Sequence, residues 1–556
     1  MNSTNGLIDP IEIAIEKFAS HPNILQIKHS VSNTSFNFAT VSLDDVWTEI
    51  KNLDPRKASS YNDIPVKNLR QHSDICSPVL LPIINNAILQ SIFPDKLKPA
   101  QITPLHKKDD ITNKANFRPI SLLPAVSKVF ERVMEKQVTA FIDTKLFPFM
   151  CGYRKGYSTQ YALMALVEKL KKSLDERSYS GAVLMDLSKA FDTINYELMI
   201  AKLNAYGFEK TSLKLIHSYL TQRWHRTKIN NSFSTWKELL NGVPQGSILG
   251  PLLFNIYIND LFFILDDTET CNYADDTCLY ACDKDLGNLL TRLTHDSNLA
   301  IDWFEYNYMK LNNEKCHLLF AGHKYEHLWI ELGGTKIWES AEETLLGIHI
   351  DNDFYFNKHV ENLCRKASRK LTALARLSNI LLFSKMKILI SSFFLSQFSY
   401  CPLTWMFCSR SSNEKINKLH ERSLRILYKD DCSTFDELLR KDNSVTIHVR
   451  NLQLLAVEMF KLKNNLAVDF ISCLFPRNET PYNLRNFSDF RRPIPKTVHW
   501  GTESLVNLGP QIWDIVPADI KNLPTLESFK QRIKKWNPQN CPCRLCKIYI
   551  RDLGFL

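Results

Sequence analysis

Two adjacent carboxylates stand in the short segment Tyr273-Ala274-Asp275-Asp276. Residues that favour β-strands flank this segment on both sides, among them Cys271, Thr277 and Leu279. The pattern predicts a β-hairpin whose turn presents both acids. Because Mg²⁺ is usually held by one or two carboxylates together with substrate phosphates, such a pair can bind a divalent ion. Aspartate is also common in turns that bind nothing, so the pair alone does not define a metal site.

A third carboxylate, Asp186, follows the apolar run Ala182–Met185, which has the length and composition of a short buried strand. The spacing of apolar residues from Ala190 to Leu203 predicts a helix after it. Asp186 is therefore expected at a strand-to-helix junction, where capping the helix is the alternative to binding metal. Together with the acidic hairpin, Asp186 would complete a two-metal site for in-line phosphoryl transfer.

A glycine-rich segment, Asn241–Pro251, lies between the two acidic segments along the chain. Its glycines allow a close approach of the backbone to a ligand, and Ser247 can cap the helix that is predicted to follow. The segment therefore predicts a surface for a nucleotide or a template backbone. A plain loop that caps a buried helix is the alternative.

In their order along the chain and their residue sequences, the three segments resemble the palm of reverse transcriptases. The sequences Leu187–Asp192 and Gly242–Pro251 are similar to those of the non-LTR retrotransposon (LINE, jockey-like) branch. The resemblance implies an α/β (α+β) right-hand polymerase with fingers, a palm of antiparallel sheet plus helices, a helical thumb and a small C-terminal helical, cysteine-containing region. Further similar segments are Pro104–Ser121 in the fingers, Cys151–Thr159 on the template side, Trp303–His317 in the palm and Leu345–Asp351 at the primer-grip hairpin.

The same resemblance implies a division of the chain into domains. Relatives usually carry an apurinic-type endonuclease domain ahead of the polymerase, and too few residues precede the fingers segment here for such a domain. We therefore expect that this chain lacks an endonuclease of its own. The expected regions are 1–43 (N-terminal linker remnant), 44–180 (fingers with the start of the palm), 181–355 (palm), 356–470 (helical thumb or connection) and 471–556 (C-terminal region).

By resemblance, Asp186, Asp275 and Asp276 are the catalytic and metal-binding carboxylates. Two Mg²⁺ ions held there would neutralise the charge that develops as a primer 3′-OH displaces pyrophosphate. The implied activity is that of an RNA-directed DNA polymerase, a nucleotidyltransferase that adds dNTPs to a DNA primer on an RNA template. A catalytically idle nucleic-acid-binding remnant and a group II intron maturase-like reverse transcriptase are the alternatives.

The resemblance also implies which residues bind the incoming dNTP. Phe191 takes the place of an aromatic wall against the sugar 2′-OH, with an ordinary core aromatic as the alternative. Arg118 would bind the triphosphate together with Lys107 or Lys108, between which the sequence does not decide. Gln245 would position the template or the nucleotide.

Template and primer contacts are expected at Gly246, Arg154 and Gly347. They are also expected at Arg365, Lys366 and Arg369, on a predicted thumb helix whose other side is apolar. Phosphate contacts of this kind do not depend on base sequence, and a solvated helix face is the alternative. Lys315 is either the general acid that protonates pyrophosphate or a solvated surface lysine.

Composition agrees with a nucleic-acid partner without requiring one. The 556 residues carry a formal net charge of +10, and the sequence pI is about 8.8. The start of the chain is polar and the 14 cysteines are scattered, which is typical of free thiols in a reducing intracellular compartment. By family resemblance the nucleus is expected, with the cytoplasm as the alternative. The apolar stretch Ile388–Phe398 is too short and too polar for a membrane span and predicts a buried thumb helix.

Three cysteines near the C-terminus, Cys541, Cys543 and Cys546, are candidate zinc ligands. No fourth ligand is near them in the sequence, and His499 is distant. A cysteine-rich segment after the polymerase is nonetheless frequent in the family that the chain resembles. The expected partners are the RNA template, the DNA primer and dNTPs, with a separate endonuclease or an element RNA-binding protein as candidates and no membrane.

Overall fold

The computed structural model describes residues 9–32, 34–58, 63–107, 110–322, 327–478, 488–538 and 540–546. The α-helices are α1 (Pro10–Lys17), α2 (Pro22–Ser30), α3 (Leu43–Asn52), α4 (Val66–Gln71), α5 (Ser73–Gln90), α6 (Ala125–Ile142), α7 (Thr159–Asp175), α8 (Tyr196–Ala205), α9 (Lys210–Leu220), α10 (Leu249–Ile258), α11 (Leu286–Tyr306), α12 (Asn357–Leu377), α13 (Phe383–Leu389), α14 (Pro402–Trp405), α15 (Arg410–Tyr428), α16 (Phe435–Asp442), α17 (Ile447–Lys463), α18 (Asp469–Ser472), α19 (Leu505–Asp514), α20 (Ala518–Lys521) and α21 (Leu526–Ile533).

The strands are β1 (Ala100–His106), β2 (Phe117–Leu122), β3 (Tyr179–Met185), β4 (Arg223–Ile229), β5 (Ser232–Phe233), β6 (Lys237–Leu239), β7 (Glu269–Tyr273), β8 (Asp276–Asp283), β9 (His317–Ala321), β10 (Trp329–Leu332), β11 (Thr335–Ser340), β12 (Glu342–Leu345) and β13 (Ile348–Asp351). Short 3₁₀ turns occur at Asp95–Leu97, Lys114–Asn116, Asp143–Lys145, Ala190–Asp192, Asn259–Phe263, Asn313–Lys315 and Leu395–Phe398, and π turns at Ile390–Phe394 and Val498–Thr502.

The chain forms two compact units, each built from several stretches of sequence. The first unit contains Met1–Tyr153, Asp186–Asp266 and Asn298–Asn313, and the second contains Arg154–Met185, Asp267–Ser297 and Glu314–Leu556. The mixed α/β composition confirms the predicted fold class. The finer boundaries of fingers, palm and thumb stay a prediction.

The first unit contains a sheet in which β1 lies between β2 and β4. β1 and β2 are antiparallel, β1 and β4 are parallel, and β5 and β6 both pair with β4. Helix α10 is apolar around most of its circumference and is almost entirely buried, as expected for a central core helix. This helix directly follows the glycine-rich segment, so the core of the unit fixes where that segment ends.

A buried ion pair stabilises the same core. Lys202 Nζ donates to Asp260 Oδ1 at 2.7 Å and to the Tyr257 carbonyl at 2.6 Å, and Trp303 Nε1 donates to Asp260 Oδ2 at 2.9 Å. Burial lowers the pKa of Lys202 to about 8 and raises the pKa of Asp260. Removing one member of such a pair leaves an uncompensated buried charge, so the pair acts as a unit.

The second unit contains a six-stranded sheet in the order β10-β11-β9-β3-β8-β7. Its strand pairs are antiparallel except for β9 and β11. The central strand β3 is buried from Ser180 to Met185, which explains its continuous run of small and apolar residues. This sheet agrees with the predicted antiparallel palm.

The helix predicted over 190–203 begins later than expected. After β3 the chain forms a 3₁₀ turn at Ala190–Asp192, and α8 starts only at Tyr196. Asn195 is its N-cap, and the Asn195 side chain accepts from the Leu198 N–H at 2.9 Å. Asp186 directly follows β3, as predicted, but no helix begins at it, so the alternative role of Asp186 as a helix cap is wrong.

The predicted amphipathic thumb helix is α12. It buries Val360, Ala367, Leu371 and Leu374 and leaves Arg365, Lys366 and Arg369 exposed. The stretch Ile388–Phe398 is not one buried helix as predicted. It runs from α13 through a π turn into a 3₁₀ turn, burying Ile390, Phe394 and Phe398 but exposing Ile388 and Phe393. Within the part of the chain that the structure describes, no helix is long and apolar enough to cross a membrane.

Candidate active site

The acidic hairpin forms as the sequence predicts. β7 and β8 are antiparallel, and Tyr273 pairs with Asp276, so that Ala274 and Asp275 are the two turn residues. Ala274 adopts a left-handed backbone with φ +59°. Asp275 and Asp276 are half-buried. The hairpin thus presents two adjacent carboxylates that remain accessible to a ligand.

Asn272, whose role the sequence analysis missed, holds this turn together. Its side chain is fully buried, and Asn272 Nδ2 donates to the Ala274 carbonyl at 3.0 Å and the Asp276 carbonyl at 3.4 Å. It also lies 3.0 Å from Thr277 Oγ1. One amide group therefore ties the turn to the first residues of β8, and so orients the backbone that carries both carboxylates.

The register of β3 and β8 bears on the third carboxylate. Met185 pairs with Thr277. Asp186 directly follows Met185 in the chain, and Asp276 directly precedes Thr277. The end of β3, which Asp186 follows in the sequence, is therefore paired with the start of β8.

The Asp186 backbone is fixed within the first unit by the chain near Leu311. The Asp186 carbonyl accepts from the Asn312 N–H at 2.9 Å, and Ser188 N–H donates to the Lys310 carbonyl at 2.8 Å. A β-bridge joins Leu187 and Leu311 between them. These contacts hold Asp186 in an extended segment, half-buried, rather than at the start of a helix.

The glycines of the segment Asn241–Pro251 are needed for contacts within the protein. Gly246 has φ +126°, and a Cβ there would lie 2.5 Å from the Ser121 carbonyl oxygen. Gly242 has φ +81°, and a Cβ there would lie 2.6 Å from the Phe191 carbonyl oxygen. The predicted close approach therefore occurs, but it is to the protein's own backbone.

Two side chains cap the start of α10. Ser247 Oγ accepts from the Gly250 N–H at 3.1 Å, which confirms the predicted capping role. Glu131 of α6, fully buried, accepts from the N–H groups of Ile248 at 2.6 Å and Leu249 at 3.2 Å. The sequence analysis missed Glu131, because it lies far away in the chain and only the fold brings it to this helix end.

Phe191 is fixed by two other rings. It stacks on Phe254 of α10 with ring centroids 4.5 Å apart and planes 20° apart, and Tyr153 meets it edge-on at 5.9 Å. Phe191 is half-buried. The ring therefore packs against the core while part of it stays exposed, and its predicted role against the sugar 2′-OH stays a prediction.

Gln245 and Asp192 lie together beside a cavity of about 280 Å³, which Arg223 and His225 also line. Gln245 Nε2 donates to Asp192 Oδ1 at 3.3 Å, and the Gln245 carbonyl accepts from the Ser121 N–H at 2.7 Å. Burial raises the pKa of Asp192. The hydrogen bond from Gln245 and the positive charge of nearby groups, Lys107 among them, oppose this effect.

The β1–β2 hairpin carries the two predicted triphosphate-binding cations. Leu105 pairs with Arg118, and the Lys107 N–H donates to the Asn116 carbonyl at 2.8 Å. Because cross-strand partners share a face and alternate residues return to it, Lys107 and Arg118 extend from one face of the hairpin. Both side chains are exposed. The other predicted candidate, Lys108, lies outside the described residues.

The predicted primer-grip hairpin is formed by β12 and β13. Leu346 and Gly347 are its turn residues, with φ +48° and +80°. Tyr400 donates its hydroxyl to the Leu346 carbonyl at 2.7 Å and so braces the turn. A second residue predicted to contact the template, Arg154, places its guanidinium 4.2 Å from the centre of the Tyr157 ring.

The remaining basic candidates are exposed in the second unit. They are Lys315, in a 3₁₀ turn, and Arg365, Lys366 and Arg369 on α12. Arg365 Nη2 lies 3.4 Å from Glu361 on the same helix, an exposed pair that contributes little to stability. Their predicted contacts with nucleic acid stay predictions.

The C-terminal cysteines have a fourth neighbour that the sequence did not indicate. His448 Nε2 of α17 lies 3.3 Å from Cys543 Sγ. Hydrogen bonds with Cys543 and then Cys546 lower the pKa of the Cys541 thiol. His499, the only alternative weighed from the sequence, is engaged elsewhere: its Nε2 lies 2.8 Å from the Asp353 carbonyl.

Comparison with known proteins agrees with this geometry. Residues 105–350 match the family described as reverse transcriptase (RNA-dependent DNA polymerase). The matched part of the chain contains the acidic hairpin, Asp186 and the glycine-rich segment. The family resemblance inferred from the motifs is confirmed.

Among its relatives are polymerases of mobile elements. The chain is 26% identical to the probable RNA-directed DNA polymerase from transposon BS of Drosophila melanogaster, over 76% of this chain and 50% of the relative. It is 27% identical to the RNA-directed DNA polymerase from mobile element jockey of the same species, over 62% of this chain and 38% of the relative. The putative COX1/OXI3 intron 1 protein of Saccharomyces cerevisiae is 28% identical, over 29% of this chain and 17% of the relative. The chain thus spans half or less of the length of these curated relatives.

Proposed function

We propose that this chain is an RNA-directed DNA polymerase that adds dNTPs to a primer 3′-OH on an RNA template. The observation that carries the proposal is the β7–β8 hairpin, in which Asp275 is a turn residue and Asp276 begins β8. Asp186 follows in sequence directly after β3, the strand that pairs with β8. Similarity to the transposon BS and jockey polymerases supports an origin in a non-LTR retrotransposon.

In this proposal Asp186, Asp275 and Asp276 hold two Mg²⁺ ions. Carboxylate oxygens are the ligands that Mg²⁺ prefers, and the half-buried side chains leave room for substrate phosphates to complete the coordination. The metal ions supply charge neutralisation at the attacking and leaving oxygens. Asn272 acts as a positioning residue, because its amide group fixes the backbone of the turn.

The incoming dNTP is bound by residues of the first unit. Arg118 and Lys107 extend from one hairpin face, where a bidentate guanidinium and a point charge can bind the triphosphate. Phe191 is held in a fixed plane by Phe254 and blocks a 2′-OH. Gln245, oriented by its hydrogen bond to Asp192, positions the template or the nucleotide base.

Template and primer contacts are assigned to the turn at Gly246, to Arg154, to the Gly347 hairpin and to the exposed basic side of α12. Contacts from α12 to phosphate are independent of sequence and weaken with salt. Lys315 is the proposed general acid toward pyrophosphate, and its exposed position allows it to exchange protons with water.

The intron-maturase alternative is less well supported. The match to the intron protein covers 29% of this chain, whereas the match to the transposon BS polymerase covers 76% and extends beyond the reverse transcriptase domain. A clear preference for intron RNA over arbitrary RNA would favour the maturase alternative.

Primer extension tests the proposal. The purified chain is given an RNA template, a DNA primer and either dNTPs or rNTPs, with and without Mg²⁺. We expect Mg²⁺-dependent extension that prefers dNTPs, abolished in Asp275→Asn and in Asp186→Asn. The matched control is Asp302→Asn, an exposed aspartate of α11, which should extend at the wild-type rate.

Two results would contradict the proposal. Wild-type extension by Asp275→Asn would show that the hairpin does not carry the chemistry. A folded wild type that binds primer–template without extending it would identify the chain as a catalytically idle nucleic-acid-binding protein.

A further inference from the structure

The soft donor groups of His448, Cys543 and Cys546 meet where α17 begins in the second unit, and Cys541 belongs to the same C-terminal segment. His448 is the second residue of that helix, and Cys541, Cys543 and Cys546 lie beyond α21. Cys541, Cys543 and His448 are almost completely buried, with 2%, 0% and 6% of their surfaces exposed. The sequence separates the histidine widely from the cysteines, so that only the fold brings His448 near them.

Their spacing fits one tetrahedral ion. With Zn–S near 2.3 Å and Zn–N near 2.0 Å, neighbouring donors around zinc are roughly 3.5–3.8 Å apart. His448 Nε2 lies 3.3 Å from Cys543 Sγ, and the donor atoms of His448, Cys543 and Cys546 all lie within 4.8 Å of one another. Cys541 is buried and lies two residues before Cys543, but its sulfur is outside this group of three donors. A shift of the Cys541 side chain would complete a set of four donors.

We propose that Cys541, Cys543, Cys546 and His448 form a closed Cys₃His zinc site. Three thiolates and one imidazole are a soft donor set, which favours zinc over magnesium. Four protein ligands leave no open position for water or substrate, so the ion is structural. The site is independent of the polymerase chemistry.

The surroundings of the C-terminal cysteines differ from those of a cysteine that is buried only as a small apolar side chain. Cysteine is often buried as a small apolar side chain, and Cys408 is such a residue in this protein. At the C-terminus, by contrast, the sulfurs of Cys543 and Cys546 and a ring nitrogen of His448 lie within 4.8 Å of one another.

Zinc at this place would fasten the C-terminal segment along α17. Gln453 Nε2 of α17 already donates to the Trp536 carbonyl at 2.7 Å and to the Lys534 carbonyl at 3.2 Å. Further along, Phe460 stacks on Phe529 of α21 at 4.3 Å. An ion on His448 adds an attachment at the first turn of α17 and closes the long loop between the helix and the cysteines.

The same helix is anchored at its other side. Glu458 accepts a hydrogen bond from the Tyr161 hydroxyl of α7 at 2.6 Å, and Lys461 pairs with Glu458 at 2.8 Å. Since α17 contacts both α7 and the C-terminal segment, loss of zinc should loosen the C-terminal segment first. The expected effect of metal removal is therefore a lower thermal midpoint with the β-sheet retained.

The test is elemental analysis of the full chain, purified without a metal-affinity tag. We expect about one zinc ion per chain. Zinc should be lost in Cys543→Ser and in His448→Ala and retained in Cys408→Ser, the matched buried-cysteine control. Exchange into Co²⁺ should give the intense visible bands of tetrahedral cobalt together with sulfur-to-cobalt charge transfer.

A second variant keeps the proposal falsifiable if His448→Ala does not fold. His448→Cys preserves four ligands, so it should retain zinc while its cobalt charge-transfer absorption increases. A folded wild type without stoichiometric zinc would overturn the proposal. So would a His448→Ala variant with full zinc and an unchanged cobalt spectrum. Because metal content is measured without primer extension, these outcomes are separate from any failure of the polymerase proposal.

Discussion

The acidic hairpin and the C-terminal cysteine cluster both gather metal-binding side chains in the second unit, but in opposite ways. Asp275 and Asp276 are neighbours in sequence, half-buried and hard oxygen donors. The C-terminal cluster brings His448 together with Cys543 and Cys546 from far along the chain, and its donors are mostly buried and soft. In the two proposals, donor type and exposure distinguish an open site, shared with substrate phosphates, from a closed structural one.

The largest expected effect distinguishes the two sites, because a variant at each site should change only one of two measurements, the extension rate or the thermal midpoint. Asp275→Asn should lower the rate of single-nucleotide extension by at least about 10³-fold, because it removes a metal ligand that stabilises the transition state by several kcal/mol. Its thermal midpoint should not fall. Cys543→Ser should lower the thermal midpoint and retain extension below that temperature. Quench-flow extension and thermal unfolding on both variants measure this, and a Cys543→Ser protein that is stable but inactive would break the comparison.

A smaller effect should follow from loosening the acidic turn without touching its carboxylates. Asn272→Leu removes the hydrogen bonds to the Ala274 and Asp276 carbonyls and should reduce kcat roughly 10²-fold through misplacement of the metal ligands. The Mg²⁺ concentration for half-maximal rate should rise, which a purely structural role would not cause. If folded Asn272→Leu needs the same Mg²⁺ concentration for half-maximal rate as the wild type, Asn272 does not position the metal ligands.

The choice between deoxy- and ribonucleotides depends on the Phe191 ring. Phe191→Val should raise the relative use of rNTPs about 10- to 100-fold, since the smaller side chain leaves room for the 2′-OH. Phe254→Leu is the matched control: it removes the stacking partner but keeps the Phe191 ring. Competition between dNTP and rNTP on one primer gives the ratio. If wild type and Phe191→Val discriminate equally between dNTPs and rNTPs, the Phe191 ring has only a packing role.

The smallest effect concerns His359, a buried imidazole on α12. Burial first, then the positive charges of His349 and Lys366, lower the pKa of His359 to about 4. The unfolded chain, with a histidine pKa near 6.5, binds more protons between these values, so stability is present above about pH 6.5 and is lost as pH falls toward 4. Between pH 7 and pH 5.5 the loss should be about 1 kcal/mol.

Denaturant unfolding at both pH values checks the prediction for His359. In His359→Gln the part of the pH dependence that comes from this residue should disappear. An unchanged pH dependence in the variant would assign the acid sensitivity to other groups.

The sequence predicted what depends on neighbouring residues. The acidic hairpin, the strand before Asp186 and the cap at Ser247 are encoded within a few positions each. The late start of α8 was also encoded locally: Asn195 is a good N-cap, but the apolar spacing from Ala190 was given more weight.

Other features could not be predicted because their partners are distant in the chain. Glu131 reaches the start of α10 only through the packing of α6, and His448 reaches Cys543 only through the return of the C-terminal segment. Asn272 is an intermediate case. It lies next to the motif, yet nothing in its spacing reveals that its side chain turns back to the hairpin rather than outward.

The central claim is that the segment ending β3 and the β7–β8 turn bind the same metal ions, and cleavage by bound iron tests it most directly. Fe²⁺ substituted for Mg²⁺ generates hydroxyl radicals with ascorbate and peroxide, and these cut the backbone close to the ion. We predict cuts within both 184–188 and 273–277, suppressed by excess Mg²⁺ and absent in Asp275→Asn. Cuts confined to one of the two segments, or unchanged in Asp275→Asn, would contradict a shared site.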